Sequence, residues 1–227
     1  MTGDALPALI VFEGAEGVGK STQLRRLAEH LERARVPFVT RREPGGTPLG
    51  EEIRRLLLDA AFDVAPRAEA LLFMAARAQL VRDIWQQRQQ GRIVLLDRFF
   101  LSTYAYQVRG RGLSEEDIGT INEFATGGLK PSVTLFLTSS AQQGLARVDA
   151  RGGARDRIES AGDDFHERVT EAFHDFTERD WTRRDSLFGE VLKVDATGTV
   201  DEVFARVLEN LRHFLPETFD RASGSHS

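Results

Sequence analysis

The chain has no cysteine in its 227 residues, which removes disulfides, thiolate metal sites and a cysteine nucleophile from consideration. It has no excess of positive charge. The net charge is −5, so no global basic field points to nucleic acid, and any phosphate ligand has to be met by local arginines. No apolar run approaches the roughly 18 residues of a membrane span. Met1 to Pro7 carries no basic-plus-apolar leader. The expectation is a cytoplasmic protein with no nucleic-acid or membrane partner. There is also no internal repeat, no low-complexity block and no linker long enough to separate domains. Hydrophobic and charged fractions of 41% and 29% are ordinary, and the length suits one well-buried core or at most two small domains.

Against these absences stands Gly14 to Ser21, GAEGVGKS, which fits the pattern G-x-x-x-x-G-K-[ST]. It follows the apolar run Ala8 to Phe12 and precedes an amphipathic segment, the strand, loop and helix context that a phosphate-binding loop requires. Taken alone it could be a glycine-rich turn; the flanking elements decide for a phosphate site. Gly14, Gly17 and Gly19 let the backbone turn so that successive N–H groups converge on phosphate oxygens. Lys20 is expected to reach the β- and γ-phosphates, and Ser21 to ligate Mg²⁺. The ATP-binding stretch is thus Gly14, Ala15, Glu16, Gly17, Val18, Gly19, Lys20, Ser21 and Thr22. Lys20 is read as an exposed loop residue that contributes little to packing.

Periodicity predicts a helix from about Lys20 to Ala34, a strand at Phe38 to Thr40, a loop at Arg42 to Thr47 and a helix around Leu49 to Asp59. Pro66 suits the first turn of a long helix to about Gln89. Ile93 to Leu96 is a continuous apolar strand, as in a parallel sheet covered on both faces. A short helix over Ser102 to Tyr106 and a glycine-rich loop, Gly110 to Gly112, follow. Ser114 with Asp117 starts a helix to about Thr126. Val133 to Leu137 is a strand, 140–150 a helix, and Asp163 caps a helix presenting Phe165, Val169, Phe173 and Phe176. Val191 to Val194 and Val200 to Leu215 supply the last strand and helix. Alternating strands and helices describe one α/β domain whose ligands sit beyond the carboxyl ends of parallel strands. Residues 1–216 form that domain, with 217–227 expected to be a disordered tail.

Asp97 ends an apolar strand, where a protein with a phosphate loop keeps the carboxylate that holds Mg²⁺. Arg42 and Arg98 also stand at strand ends and suggest a second anionic group beside the ATP site, since arginine matches phosphate bidentately.

In order along the chain stand FEGAEGVGKST, REPGGT, LLFMAAR, LLDRFFLSTYAYQ, GRG, KPSVTLFL and RDRIE. In this order they resemble the thymidylate kinases, of the bacterial type with basic residues in the lid, from about Leu9 to Leu215. The resemblance implies a P-loop NTPase-type three-layer sandwich with a five-stranded parallel sheet and a helical lid at about 151–160. It also implies ATP and Mg²⁺, the reaction ATP + dTMP → ADP + dTDP, and a homodimer packed through helices. It gives Phe73 the role of stacking on thymine, Arg77 that of meeting the base O4, and Thr103 the N3 edge. Tyr106 would pack under the deoxyribose, Arg42 and Arg98 hold the dTMP phosphate, and Glu16 stands near the sugar 3′-hydroxyl. By their surroundings alone Phe73 and Tyr106 read equally as core residues.

Two departures from the family pattern stand out: Phe99 follows Asp97-Arg98 where Tyr or His is common, and RGGARDRIE is one residue longer than the common lid. The residue after Glu16 is Gly17, so the loop has no arginine of its own, and the transition-state charge is expected from Arg151 or Arg157, swung by lid glycines. The catalytic set is then Lys20, Arg98, Glu16, Arg151 and Arg157, with metal at Ser21 and Asp97. The bare residues also admit a nucleoside kinase, a passive nucleotide-binding module, or a GTP-dependent switch, the last echoed faintly by Leu192-Lys193-Val194-Asp195.

Overall fold

The computed structural model describes residues 6–139, 156–178 and 187–219. Five parallel strands form one sheet in the order β2-β3-β1-β4-β5: β1 Leu9–Glu13, β2 Phe38–Arg42, β3 Ile93–Asp97, β4 Val133–Thr138 and β5 Glu190–Asp195. Helices connect them: α1 Lys20–Arg33, α2 Pro48–Leu58, α3 Pro66–Gln89, α4 Phe100–Thr103, α5 Glu115–Thr126, α6 Asp163–Glu178, α7 Val200–Phe214 and α8 Pro216–Phe219.

The unbroken apolar runs of β1 and β3 follow from burial on both faces. Leu9, Val11, Val94 and Leu96 pack with α3 and α6 through Leu80, Ile84 and Phe173. Their alternates Ile10, Phe12, Ile93 and Leu95 pack on the other face with Leu24, Leu27 and Leu31 of α1 and with Val203, Val207 and Leu211 of α7. The edge strands β2 and β5 are partly exposed. Register aligns the carboxyl ends: Asp97 pairs with Phe12 on one side and Arg42 on the other. The chain's phosphate loop and both strand-end arginines therefore leave one edge of the sheet together.

Several local expectations change. The helix after β3 begins at Phe100 and runs on as a π-helix over Tyr104–Gly110, so Gly110 belongs to a helix and not to a loop. A Cβ there would come within 2.6 Å of the Phe165 ring; glycine is what lets this turn lie against α6. Gly162, whose carbonyl accepts from the His166 N–H, stands at the start of α6, and Asp163 lies inside the helix. The expected helix at 140–150 lies outside the described residues. So does half of the expected lid, 151–155, and its described part, 156–160, contains a turn.

Part of the stretch expected to be tail is ordered instead. Pro216–Phe219 is helical, and Phe219 is completely buried in the core beside α1 and α7. Periodicity misses it because one aromatic after Pro216 makes no pattern. Phe219→Ala is expected to cost about 3–5 kcal/mol of stability, read by chemical denaturation. An unchanged midpoint would return Phe219 to the tail.

Candidate active site

At the end of β1 the chain turns through Gly14, Gly17 and Gly19 with φ of 139°, 71° and 99°. A Cβ at Gly14 would strike the Leu137 carbonyl of β4, so the position admits no side chain on steric grounds as well as on φ. Gly19 caps α1 without a side-chain hydrogen bond, and the first turn holds no acid. The leading N–H groups of α1 are thus open to an anion, with the positive end of the helix dipole behind them.

Lys20 is not the exposed residue that its loop position suggests. It is buried, and its Nζ donates to the Gly14 and Ala15 carbonyls at 2.8 and 2.7 Å. Burial, and then the neighbouring Arg98 charge, push its pKa down to about 7. Its ammonium is poorly solvated until an anion faces it.

Ser21 Oγ donates to Asp97 Oδ2 at 2.8 Å, while Asp97 Oδ1 is buried with no hydrogen-bond partner among the described residues. A carboxylate oxygen left unpaired out of water is costly, and a cation beside it would satisfy it. No cluster of three or more His, Asp or Glu side chains forms a cage among the described residues. A hydroxyl and one carboxylate, with phosphate and water completing the shell, suit Mg²⁺ better than a metal that demands a full protein cage.

On the other side of the loop, Arg98 has a left-handed backbone, φ 70°. That conformation is strained for any residue with a Cβ and is held by its surroundings. The Arg98 N–H donates to the Phe12 carbonyl, and its Nη1 to Ser102 Oγ at 3.0 Å. The guanidinium lies over the Tyr106 ring, 5.4 Å from its centroid, and 3.8 Å from Glu16 Oε1. Tyr106 Oη donates to Glu16 Oε1 at 2.9 Å. Burial opposes the Arg98 charge, but Tyr106, Glu16 and Asp97 outweigh it and hold the guanidinium more firmly protonated than usual. Burial, with Glu16 alongside, pushes the Tyr106 phenol up, so it stays a donor.

Glu13 carries this corner and was only implicit in the sequence, as a carboxylate ending an apolar strand. Fully buried, it accepts from the Phe99 and Ser102 N–H groups at 2.8 and 3.1 Å and from Ser102 Oγ at 2.6 Å. These bonds fix the start of α4, and with it Arg98.

Arg42 is the exposed arginine. Its Nη2 donates to Glu51 Oε2 at 2.9 Å, and Glu51 Oε1 accepts the Gly46 N–H at 2.8 Å. Bonds from Gly46 and Arg42 hold the Glu51 carboxyl below the usual range. Phe73 and Arg77 stand one turn apart on α3. Phe73 is half-buried against two apolar clusters. Arg77 is buried, with Nε 3.0 Å from both Glu43 oxygens and Nη2 bonded to Glu43 Oε2, Phe99 O and Thr103 Oγ1. Its Nη1 donates to Asn122 Oδ1 at 2.5 Å. Thr103 is thus joined directly to Arg77, and Tyr106 to Arg98.

Arg151 and Arg155 lie outside the described residues. Arg157 is not free to swing in this state. Its Nη2 bonds Glu69 Oε2 at 2.6 Å, its Nε the Leu57 carbonyl at 2.8 Å, and its N–H the Leu58 carbonyl. Glu69, 1% exposed, also accepts from Arg111 and Gln107. A buried carboxylate needs such donors, and it draws Arg157 inward across 88 residues of sequence.

A family model described as Thymidylate kinase matches residues 12–195. A thymidylate kinase of Alkalilimnicola ehrlichii is 47% identical over 172 residues, 75% of this chain and 79% of that protein. One of Kosmotoga olearia is 41% identical over 201 residues, covering 88% and 93%. One of Symbiobacterium thermophilum is 40% identical over 222 residues, covering 97% and 99%.

The Glu69 cluster makes a pH-dependent prediction. Burial raises the Glu69 pKa, but hydrogen bonds from Arg111 and Arg157 outweigh it, leaving the folded value below 4.5. The stabilisation is therefore fully present above the unfolded pKa and is lost as pH falls through the lower folded value. Glu69→Gln leaves two partly buried guanidiniums without their anion and is expected to cost about 2–3 kcal/mol at pH 7. The gap between variant and parent should narrow in acid. Urea unfolding at several pH values checks this, and a gap independent of pH would overturn it.

Proposed function

The chain belongs to the thymidylate kinase family, and from that premise we propose that it transfers the γ-phosphoryl group of ATP to dTMP, giving ADP and dTDP on the way to dTTP. The observation that carries this at the level of the site is the alignment of three adjacent strand ends. The phosphate loop leaves β1, Asp97 and Arg98 leave β3, and Arg42 ends β2, all on one edge. One anion-binding loop faces two arginines, which is what a donor and an acceptor that both carry phosphate require.

A nucleoside monophosphate has a second phosphate pKa near ~6, so its attacking oxygen is mostly anionic at neutral pH. No general base is needed. The task is to hold two polyanions in line and to neutralise charge on the transferring group. Residues Gly14 to Thr22 hold the ATP phosphates, and Lys20 exchanges its two carbonyl partners for phosphate oxygens. Ser21 and Asp97 hold Mg²⁺, which when bound neutralises phosphate charge. Arg42, released from Glu51, and Arg98 grip the acceptor phosphate. Glu16, tied to Tyr106 and close to Arg98, positions the sugar and is not a proton acceptor. Phe73 stacks on the base, Thr103 meets its N3 edge, Tyr106 underlies the deoxyribose, and the Arg77 Nη1 meets O4. Since Arg157 is committed to Glu69 and the loop has Gly17 after Glu16, the transition-state arginine in this reading is Arg151. The folded domain extends through Phe219, and the cytoplasm, where both substrates are made, is its compartment. No described helix is long and apolar enough to cross a membrane.

A homodimer is part of the proposal. On α3, Leu71, Ala75, Ala78, Arg82 and Trp85 are exposed at alternating spacings of four and three, a stripe along one side of the helix. Ala75 and Ala78 would let a second α3 approach closely, and α5 adds Phe124, 90% exposed.

Calorimetry tests the acceptor assignment. Phe73→Ala is expected to weaken dTMP binding about tenfold, an aromatic stacking contact being worth ~1–3 kcal/mol, with ATP affinity unchanged. A matching loss for ATP would sink it. For the assembly, Ala78→Glu is expected to convert the dimer to monomer in sedimentation velocity. A parent that already sediments as a monomer, or a variant that stays dimeric, would refute the α3 interface.

A further inference from the structure

A guanidinium has five N–H donors and no acceptor. In Arg77 the single Nε–H goes to Glu43, and the two Nη2 protons are shared among Glu43 Oε2, Phe99 O and Thr103 Oγ1. Of the two Nη1 protons, Asn122 Oδ1 takes one. The other has no acceptor among the described residues. Only that one donor of the group remains for a ligand.

Asn122 lies on the inner face of α5, 2% exposed, with Ile118 and Ala125 buried a turn away on either side. Its amide is a buried polar group that needs a partner. Because arginine cannot accept, the amide oxygen and not the nitrogen must face it. Glu43 grips the Nε–Nη2 edge of the guanidinium, and the Phe99 ring lies 4.7 Å from its carbon. These contacts hold one edge and one face. The Nη1 end is held by Asn122.

We infer that Asn122 is a positioning residue for base selection: by occupying one Nη1 proton of Arg77 it fixes the direction of the other, and so makes the acceptor site select a 4-oxo pyrimidine over a 4-amino one. This rests on the reading of Arg77 as the partner of the base O4. A 4-oxo group accepts from a fixed N–H. A 4-amino group only donates, and it meets a donor. The 4-amino base escapes that clash only if the guanidinium can tilt to reach its N3, which is an acceptor in cytosine. With both ends held, the tilt is denied. Without Asn122 the Nη1 end is unheld, and the rigid guanidinium can pivot about its Glu43-bound edge so that an Nη1 proton follows N3. The discrimination is therefore predicted to come from α5, a helix that none of the strand-end loops contains.

The test is the ratio of dCMP to dTMP dissociation constants, measured by calorimetry on the full chain. Asn122→Leu keeps the volume and removes the acceptor. The ratio is expected to fall about tenfold, the size of effect that one ordinary hydrogen bond carries, with ATP affinity unchanged. Asn122→Asp keeps an oxygen facing Nη1 and is expected to hold the ratio within about twofold of the parent. Asn122→Ala gives the same reading as Leu if the larger side chain prevents folding. A purely structural role would lower affinity for both nucleotides together. An unchanged ratio in the Leu and Ala variants, or an equal fall in Asp and Leu, overturns the inference. Arg77→Lys separates it from its premise. If that variant loses discrimination while Asn122→Leu keeps it, only the positioning role fails. If Arg77→Lys keeps the parental ratio, the reading of Arg77 itself fails, and this inference with it.

Discussion

The Arg77–Glu43 pair is the interaction on which the acceptor side depends. Both side chains are almost wholly out of water, at 2% and 6% exposure. Taking two charges from water costs more than a solvent-exposed bridge would, and the attraction offsets that only when the remaining hydrogen-bonding groups are also matched. Here they are matched by Phe99 O, Thr103 Oγ1 and Asn122 Oδ1. Burial pushes the Glu43 carboxyl up, and the charge and hydrogen bonds of Arg77 draw it only part of the way back. Such a pair adds little net stability over an apolar packing of the same volume, but it allows a single geometry. The geometry joins the loop after β2, the middle of α3, the start of α4 and α5. Each of the first three carries a proposed dTMP contact within a turn or two of its anchor: Arg42 beside Glu43, Phe73 before Arg77, and Arg98 beside Phe99.

A second constraint is electrostatic. The chain is acidic overall, yet its site must attract two polyanions. Most cations of the site rest on a carboxylate or a carbonyl: Arg42 on Glu51, Arg77 on Glu43, Arg98 near Glu16, Lys20 on Gly14 and Ala15. These contacts keep the charges in place and keep like charges from repelling one another. They differ in how readily they give way. The exposed Arg42–Glu51 bridge is worth little in water and can be exchanged for phosphate. The Arg77–Glu43 bridge cannot be opened without leaving an uncompensated charge in the interior.

Local pattern accounts for what the sequence made legible. The strands were readable because burial on both faces leaves unbroken apolar runs. The phosphate loop was readable because its glycines answer to backbone geometry that the structure realises at Gly14, Gly17 and Gly19. The illegible parts depend on partners distant in sequence. Asn122 meets Arg77 across 45 residues, and Glu69 draws in Arg157 across 88. Periodicity along α3 and α5 reports which face is inward, not which polar group is waiting there. Lys20 was misjudged as exposed for the same reason: loop position says nothing about the carbonyls that fold over it. The π-helix at Tyr104–Gly110 leaves no sequence mark except Gly110, and that glycine reads as a loop until α6 is seen packed against it.

The arginines of the site show how one residue type divides its work by depth. Arg42 has a side chain 56% exposed, Arg98 22%, Arg157 12% and Arg77 2%. A guanidinium near the surface can change partners and suits a phosphate that arrives and leaves. Arg98, half-withdrawn over the Tyr106 ring and held at Ser102, can move its Nη2 the short distance between Glu16 and a phosphate without changing its backbone. Deeper still, Arg77 offers one proton in one direction, which suits a base that must be identified and not merely attracted. Arg157 lies between Arg98 and Arg77 in depth, but its guanidinium faces only Glu69 and a backbone carbonyl, so it serves the frame. In the proposed mechanism burial thus sorts these cations into those that exchange, one that reads and one that holds, and each stands beside a carboxylate that the fold sets there.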